Sequence, residues 1–580
     1  MEKRWVLMPT GNSETIQKLA GELNIHPVLA QLLVQRGVNT FDEAKHFFRP
    51  SLNDLHDPFL MKDMDKAVER ISNAILNKEK ILVYGDYDVD GTTAVSLVYT
   101  FLHNQYVNVE YYIPDRYKEG YGISLQGIDY AKENGFNLII ALDCGIKSID
   151  KIDYANKLGV DFIICDHHRP GSELPDAVAV LDPKRADCEY PYKELSGCGV
   201  GFKLIQAIAQ QKGIQFDDLT QYLDLVAVSI AADIVPITGE NRILAYYGLK
   251  LLNENPRPGF KAILELSNFK KDEITVNDVV FLIAPRINAA GRIESGKSAV
   301  ELLVSKNDNV AGLLGDGINE HNLKRKDLDA SITEHALQLI EDNEEHKYRK
   351  STVLYNSAWH KGVIGIVASR LTEKYYRPTI VLTKSNDENN MVSGSARSVK
   401  DFDVYNAIES CSDLLEQFGG HMYAAGLTMK EENVEQFIQR FEEVVSSTIE
   451  DRMLVREVEI DAELNLNDIN QKFFNILKQF APFGPGNMSP IFKSSNVRDN
   501  GRGKVVGNNH LKLTLVQHED YQSTFDGIAF QLGHHHPQVE QQDTFEIVYH
   551  IEENNFNNRT TLQLNIKDLK FVKSDVMAKV

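Results

Sequence analysis

The chain has 580 residues, too many for a single hydrophobic core, so three or four domains are expected. Apolar content of 43% and charged content of 25% exclude a disordered, collagen-like or disulfide-scaffold chain, and no run approaches the roughly 20 apolar residues of a membrane span. The balance of 62 basic against 83 acidic residues, −21 overall, argues against a protein that coats nucleic acid through its whole field; a polyanion would have to be met by locally placed Arg, Lys and metal ions.

Residues 1–55 form a mixed N-terminal segment with short helical patterns such as HPVLAQLLVQRG. The start, MEKRWVLMPTGNSE, lacks a signal-peptide apolar region, and Cys144, Cys165, Cys188, Cys198 and Cys411 are scattered without a CxxC pair. Both features suit a cytoplasmic protein with reduced thiols and no membrane partner. From Ile81 the pattern alternates: ILVYG, a helix beginning near Thr92, NVEYYIP, SLQGIDYAKENG, NLIIALD, KSIDKIDYANKLG, DFIICD. Short apolar runs separated by helical stretches predict a parallel α/β sheet covered on both faces. From Gly199 to about Asn255 the pattern is mostly helical, and this first domain is placed at 56–318. A charged helical connector (319–347), a second α/β domain (348–450) and a small antiparallel β domain, barrel or sandwich (455–575), complete the chain.

The chemistry concentrates at strand ends, where open parallel sheets bind ligands. ILVYG ends at Asp86, Asp88 and Asp90, NLIIAL at Asp143, and DFIIC at Asp166, His167 and His168. GDYDVDG opens like a calcium loop started at Asp86, but its twelfth position is Leu97 instead of glutamate, and a strand precedes it instead of a helix. Residues i, i+2 and i+4 of an extended segment point the same way, so Asp86, Asp88 and Asp90 are expected to face one another. Like charges so crowded need a neutralising cation. Carboxylate and imidazole ligands without cysteine favour Mn²⁺ or Mg²⁺, and there are enough for two ions roughly 3.5–4 Å apart, an arrangement suited to phosphoester hydrolysis. The plain alternative is that each acid caps a helix. Asp233, a lone charge in SIAADIVPI, is either such a cap or a ligand from the far side.

Gly291–Ser298 matches the phosphate loop G-x-x-x-x-G-K-[ST] and is the rival reading, an ATP-dependent protein. Its context is wrong, because APRINAAG separates it from VVFLI and no downstream strand offers a metal-binding Asp. Gly533–His536 reads as a solvated turn. Four clusters in turn-like settings offer groups for a phosphate chain: IPDRYKEGYG with Arg116 and Lys118; PRINAAGR with Arg286, Asn288 and Arg292; VSGSARS with Ser393, Ser395 and Arg397; and FGGHMYAAG with Gly419, Gly420 and His421.

GDYDVDG, ALDCGI, CDHHRP and AADIVP, in that order, resemble the DHH phosphoesterase family, and WHKGVIGIVASRL, GSARS and FGGHMYAAGL resemble its DHHA1 subdomain. APRINAAGR between them is similar to the RecJ branch, the 5′→3′ exonucleases of single-stranded DNA. The resemblance covers about residues 50–570. It implies a multidomain α/β fold: a parallel-sheet DHH domain, a connector helix, a DHHA1 domain and a β-barrel tail of OB type, binding nucleic acid. It implies a two-ion Mn²⁺ or Mg²⁺ site from Asp86, Asp88, Asp90, Asp143, His167 and Asp233, with Asp88, Asp143, His167 and His168 catalytic and His168 either a ligand or a transition-state stabiliser. Arg116, Arg286, Asn288, Arg292, Ser395, Arg397, Gly420 and His421 would contact DNA, and the phosphate-loop match would be coincidental. Tyr84 stands where many relatives carry a His, which leaves open which acid completes the first ion's shell. The implied role is DNA repair and recombination beside a helicase and a single-strand-binding protein, with a channel between the two α/β parts too narrow for duplex. Other DHH proteins cleave short oligonucleotides or cyclic dinucleotides, and others are non-catalytic scaffolds.

Overall fold

A computed structural model describes residues 3–293, 295–385, 390–517, 524–541, 544–556 and 559–571. The chain divides into two compact units, Leu55–Val235 with Gly239–Arg456, and Met1–Asp54 with Pro236–Thr238 and Glu457–Val580.

The larger unit begins with a five-stranded all-parallel sheet in the order Val109–Tyr112, Lys80–Gly85, Phe136–Leu142, Asp161–Cys165, Ala179–Leu181. Ile81–Gly85 and Leu138–Leu142 are wholly buried, as continuous apolar runs require when helices cover both faces. Helices Gly197–Lys212, Leu223–Ala232 and Gly239–Glu254 follow, matching the helical pattern of that region. The first helix after ILVYG starts at Val89, earlier than Thr92, because the Asp88 side chain caps it. The connector helix starts at Asp308, not at residue 319, and runs to Glu341. Its Ile332, Ala336 and Ile340, spaced one turn apart, share a core with Val363, Val367 and Leu371.

The second sheet has the order Gln417–His421, Ala424–Lys430, Met391–Arg397, Thr379–Lys384, Thr352–Tyr355, and only its last pair is parallel. In the smaller unit, Phe492–Asp499 pairs with both Phe545–Phe556 and His510–Gln517, so the strands close into a barrel. The antiparallel expectation holds except where Phe525–Ala529 runs parallel to Arg559–Phe571 to complete the ring, and where the two-residue strand Ala462–Glu463 joins Phe492–Asp499. Residues 1–55 are not an independent segment. Arg4–Leu7 pairs with Glu457–Ile460, and Leu29, Leu32 and Leu33 share one core with Phe473, Phe480, Phe492 and Leu513. Pro236–Thr238 joins this unit through Ile237, whose amide donates to the Pro485 carbonyl at 2.7 Å and whose side chain packs on Gly484.

Candidate metal centre

The three acids of GDYDVDG are not an extended run, so the reasoning that they face one another is corrected. Asp86 ends its strand, the Asp88 Oδ1 accepts from the Gly91 amide at 3.0 Å as an N-cap, and Asp90 lies in the first helical turn. A Cβ on residue 91 would stand 2.4 Å from the Asp86 carbonyl oxygen, so glycine lets the helix start against the strand end. Ligand atoms of Asp86, Asp88 and Asp143 lie within 4.8 Å of one another, whereas Asp90 is grouped with His167 and Asp233. Asp90 turns away because the amides of Gly197 and Cys198 and the Ser229 hydroxyl each reach its carboxylate at 2.7 Å.

Asp143 stands between the two groups. It follows the strand Phe136–Leu142 with φ +59°, and its amide donates to the Cys165 carbonyl at 2.8 Å. Its Oδ1 is 3.2 Å from the Nε2 of His167, which also lies 3.5 Å from Asp233 Oδ2 and 3.7 Å from Asp90 Oδ2. Asp233 caps the C-terminus of the helix Leu223–Ala232, where a carboxylate opposes the helix dipole. Helix capping therefore does not explain it, and its place beside His167 does. Asp166, one of the five strand-end carboxylates, is otherwise engaged. It accepts from the amides of Ile146, His167 and His168, and its Oδ1 meets the His168 Nδ1 at 2.7 Å. The other ring nitrogen of His168 faces the Tyr121 hydroxyl at 3.2 Å.

Asp86, Asp143 and His167 are 1%, 2% and 5% exposed, yet both Asp86 oxygens, Asp143 Oδ1 and both His167 nitrogens have no hydrogen-bond partner. Buried polar atoms are normally satisfied, so orphans among such crowded acids mark a missing charge. Burial, and then the neighbouring acids, push the carboxyls of Asp86 and Asp143 well above the ordinary range and Asp233 up to about 8. Burial alone would raise Asp166 and lower His168, but their mutual hydrogen bond and charge bring Asp166 down to about 2 and His168 up to about 9. Oxygen and imidazole donors 3.2–3.7 Å apart fit the coordination of a hard or borderline divalent cation.

Of the candidate phosphate-binding residues, Arg116 acts on Asp86 through its charge, and the candidates do not all lie in turns. APRINAAGR is a helix, Ala284–Ile293, entered from a π-helical turn at Val279–Ile283. VSGSARS lies on the strand Met391–Arg397. Register places Ser395 opposite Gly426, which faces Gly419, and Ala396 opposite Ala425, which faces Gly420, so Ser395 and Arg397 are separated from Gly420 and His421 by the one strand Ala424–Lys430. The Arg116 guanidinium sits 5.1 Å from the Tyr87 ring centre. Arg292 donates to the Gly362 carbonyl at 3.1 Å, and burial together with Arg116, Arg325 and Arg397 pulls it down to about 10. Repelling guanidinia call for an anion between them. Arg286 is buried and partly used within the fold, donating to Leu282 O and Asn319 Oδ1; Asn288 is half-buried on the same helix. Arg325 escaped sequence reading because KRKD on a charged helix looks like a solvated face. Ser229 also escaped it, although it lies one helical turn before Asp233.

The phosphate-loop segment forms the end of one helix and the start of another (Lys297–Val304), with Glu294 outside the described residues. Gly291 and Gly296 pack against Tyr87, which explains these glycines without a nucleotide. Gly533–His535 is a short 3₁₀ turn leading into the helix His536–Glu540; His534 is exposed, but Gly533 is buried, so the solvated turn expected over Gly533–His536 holds only in part.

The chain matches the DHH family, N-terminal domain, over residues 80–230, the DHHA1 domain over 350–447 and the RecJ OB domain over 460–568. It is 37% identical to a single-stranded-DNA-specific exonuclease RecJ of Bacillus subtilis, across 97% of this chain and 70% of that one. A protein of the same description from Salmonella typhimurium is 33% identical, across 94% of this chain and 96% of that one. The crystal structure of RecJ in complex with Mn²⁺ from Thermus thermophilus superposes with a TM-score of 0.81 at 25% identity, covering 98% of this chain and 80% of that one. With such likeness along nearly its whole length, the chain belongs to the RecJ family of DHH proteins.

Proposed function

We propose that this chain is a divalent-metal-dependent exonuclease that hydrolyses single-stranded DNA stepwise from the 5′ end, in DNA repair and recombination. The observation that carries the reading is the convergence of orphaned, buried Asp86, Asp143 and His167. Asp90, Asp143, His167 and Asp233 would hold one Mn²⁺ or Mg²⁺ ion, and Asp86, Asp88 and Asp143 a second, with Asp143 shared. Two such ions acidify water and neutralise charge on the attacking and leaving oxygens.

The chain's own residues do the rest. Asp166 fixes His168 by its Nδ1 and holds the ring protonated, so its other nitrogen would donate to a phosphate oxygen in place of the Tyr121 hydroxyl. Arg116, Arg292, Arg325 and Arg397 would seat the terminal phosphates, with Ser395, Gly420, His421, Asn288 and Arg286 along the strand's path. The barrel is proposed to bind unpaired bases, and a helicase and a single-strand-binding protein to supply the cytoplasmic substrate. No helix among the described residues is long and apolar enough to cross a membrane.

The test is digestion of single-stranded DNA labelled at either end, with Mn²⁺, Mg²⁺ or chelator. Mononucleotide release from the 5′ end, abolished by chelator, is expected. Release from the 3′ end, or digestion in chelator, would overturn the reading, and cleavage confined to very short oligonucleotides or cyclic dinucleotides would favour another DHH activity.

A further inference from the structure

Asp90 differs from its neighbours in being held by the protein. Its Oδ1 accepts from the Cys198 amide and the Ser229 hydroxyl, and its Oδ2 from the Gly197 amide, all at 2.7 Å. The Ser229 oxygen is also 2.6 Å from the Ser196 hydroxyl, which itself accepts from the Gly199 amide at 3.1 Å. A hydroxyl has one proton to give. If Ser229 gives its proton to Asp90, Ser196 must give its own to Ser229. The result is a one-way chain from the Gly199 amide through Ser196 and Ser229 to Asp90. Ser196 and Ser229 are fully buried, so no water replaces a link.

This chain decides which oxygen of Asp90 is free. Oδ1 already takes two donors, while Oδ2 takes one and faces His167 Nε2 at 3.7 Å. Ser229 also shares a helix with Asp233, one turn ahead of it, so one element sets both acids. We infer that Ser229 is a positioning residue: its hydroxyl turns Asp90 so that only Oδ2 is offered to a divalent cation, in line with His167 and Asp233. The inference rests on the metal reading above. Partners behind metal ligands typically govern 10–100-fold in affinity.

The experiment is calorimetric titration of the metal-free full chain with Mn²⁺, for wild type, Ser229→Ala and Asp90→Asn. Ser229→Ala should weaken one class of site 10–100-fold and leave the site of Asp86, Asp88 and Asp143 unchanged. A merely structural serine would lower the melting temperature and leave Mn²⁺ affinity within twofold of wild type, which would overturn the inference alone. Wild type that binds no Mn²⁺ would overturn the metal reading itself. Should Ser229→Ala fail to fold, Ser229→Cys, which is somewhat larger, leaves no cavity and weakens the donor, reads the same constants and is expected to weaken the same class of site.

Discussion

Asp143→Asn should move activity and stability in opposite directions. Asparagine matches aspartate in shape and tolerates φ +59°, so the backbone at the strand end is kept. What disappears is the charge shared by both groups of ligands. Taking about 100-fold as the loss of affinity for each ion, the two together reach about 10⁴, or roughly 5.5 kcal/mol, and kcat/KM should fall 10³–10⁴-fold. In the metal-free protein the same carboxylate is 2% exposed and crowded by Asp90, Asp88, Asp233 and Asp86. Its raised pKa means that the native state holds a proton the unfolded chain has released. It therefore destabilises the fold increasingly as pH rises above the ordinary carboxyl value of 3.8. Removing it should stabilise the metal-free protein by about 1–3 kcal/mol at pH 8, and by less at pH 5. The assays are hydrolysis of end-labelled single-stranded DNA and thermal melting in chelator. A variant within tenfold of wild-type activity, or one that melts earlier than metal-free wild type, would refute the reasoning.

Metal affinity should rise with pH between 6 and 8.5, because Asp86, Asp143 and Asp233 (about 8) hold protons that a cation must displace; calorimetry in two buffers of different ionisation enthalpy would count those released. Gly197→Ala would set a Cβ 2.6 Å from that of Asp143, and a loss of at least about tenfold in Mn²⁺ affinity is expected by titration. Arg397→Ala should raise KM for single-stranded DNA about 5–50-fold and lower the salt dependence of binding by about one phosphate contact, read from affinities at several salt concentrations. Asp166→Asn should remove the charge that holds His168 protonated, leaving a ring that no longer donates from both nitrogens, and cut kcat about 100-fold with little change in KM, measured at saturating metal.

The acids that end a buried strand, Asp86 and Asp143, were legible because apolar runs mark strands and parallel sheets bind ligands at their ends. The separation of Asp90 from Asp86 and Asp88 was not, since it depends on helix amides at Gly197 and Cys198, more than a hundred residues after Asp90. PRINAAGR reads as a turn by its Pro, Asn and Gly, yet Pro285 follows directly on the π-helical turn Val279–Ile283, the kind of local irregularity that lets a helical run carry a proline, and the alanines favour helix. GSAR has poor strand propensity and becomes strand because it is paired on both sides. The partnership of the first 54 residues with the barrel is invisible to any local pattern, being made across the whole catalytic unit.

That partnership bears on how the protein is made. Leu29, Leu32 and Leu33 leave the ribosome early, but the phenylalanines that cover them come after residue 470. At ordinary elongation rates the wait is on the order of tens of seconds, long enough for the intervening unit to fold first. Ile237 waits as well, for Gly484 and Pro485. The stretch from Glu457 onward thus gathers two stranded pieces of the chain at once, and a ribosome that stalls before it would release a nascent protein with greasy helices uncovered.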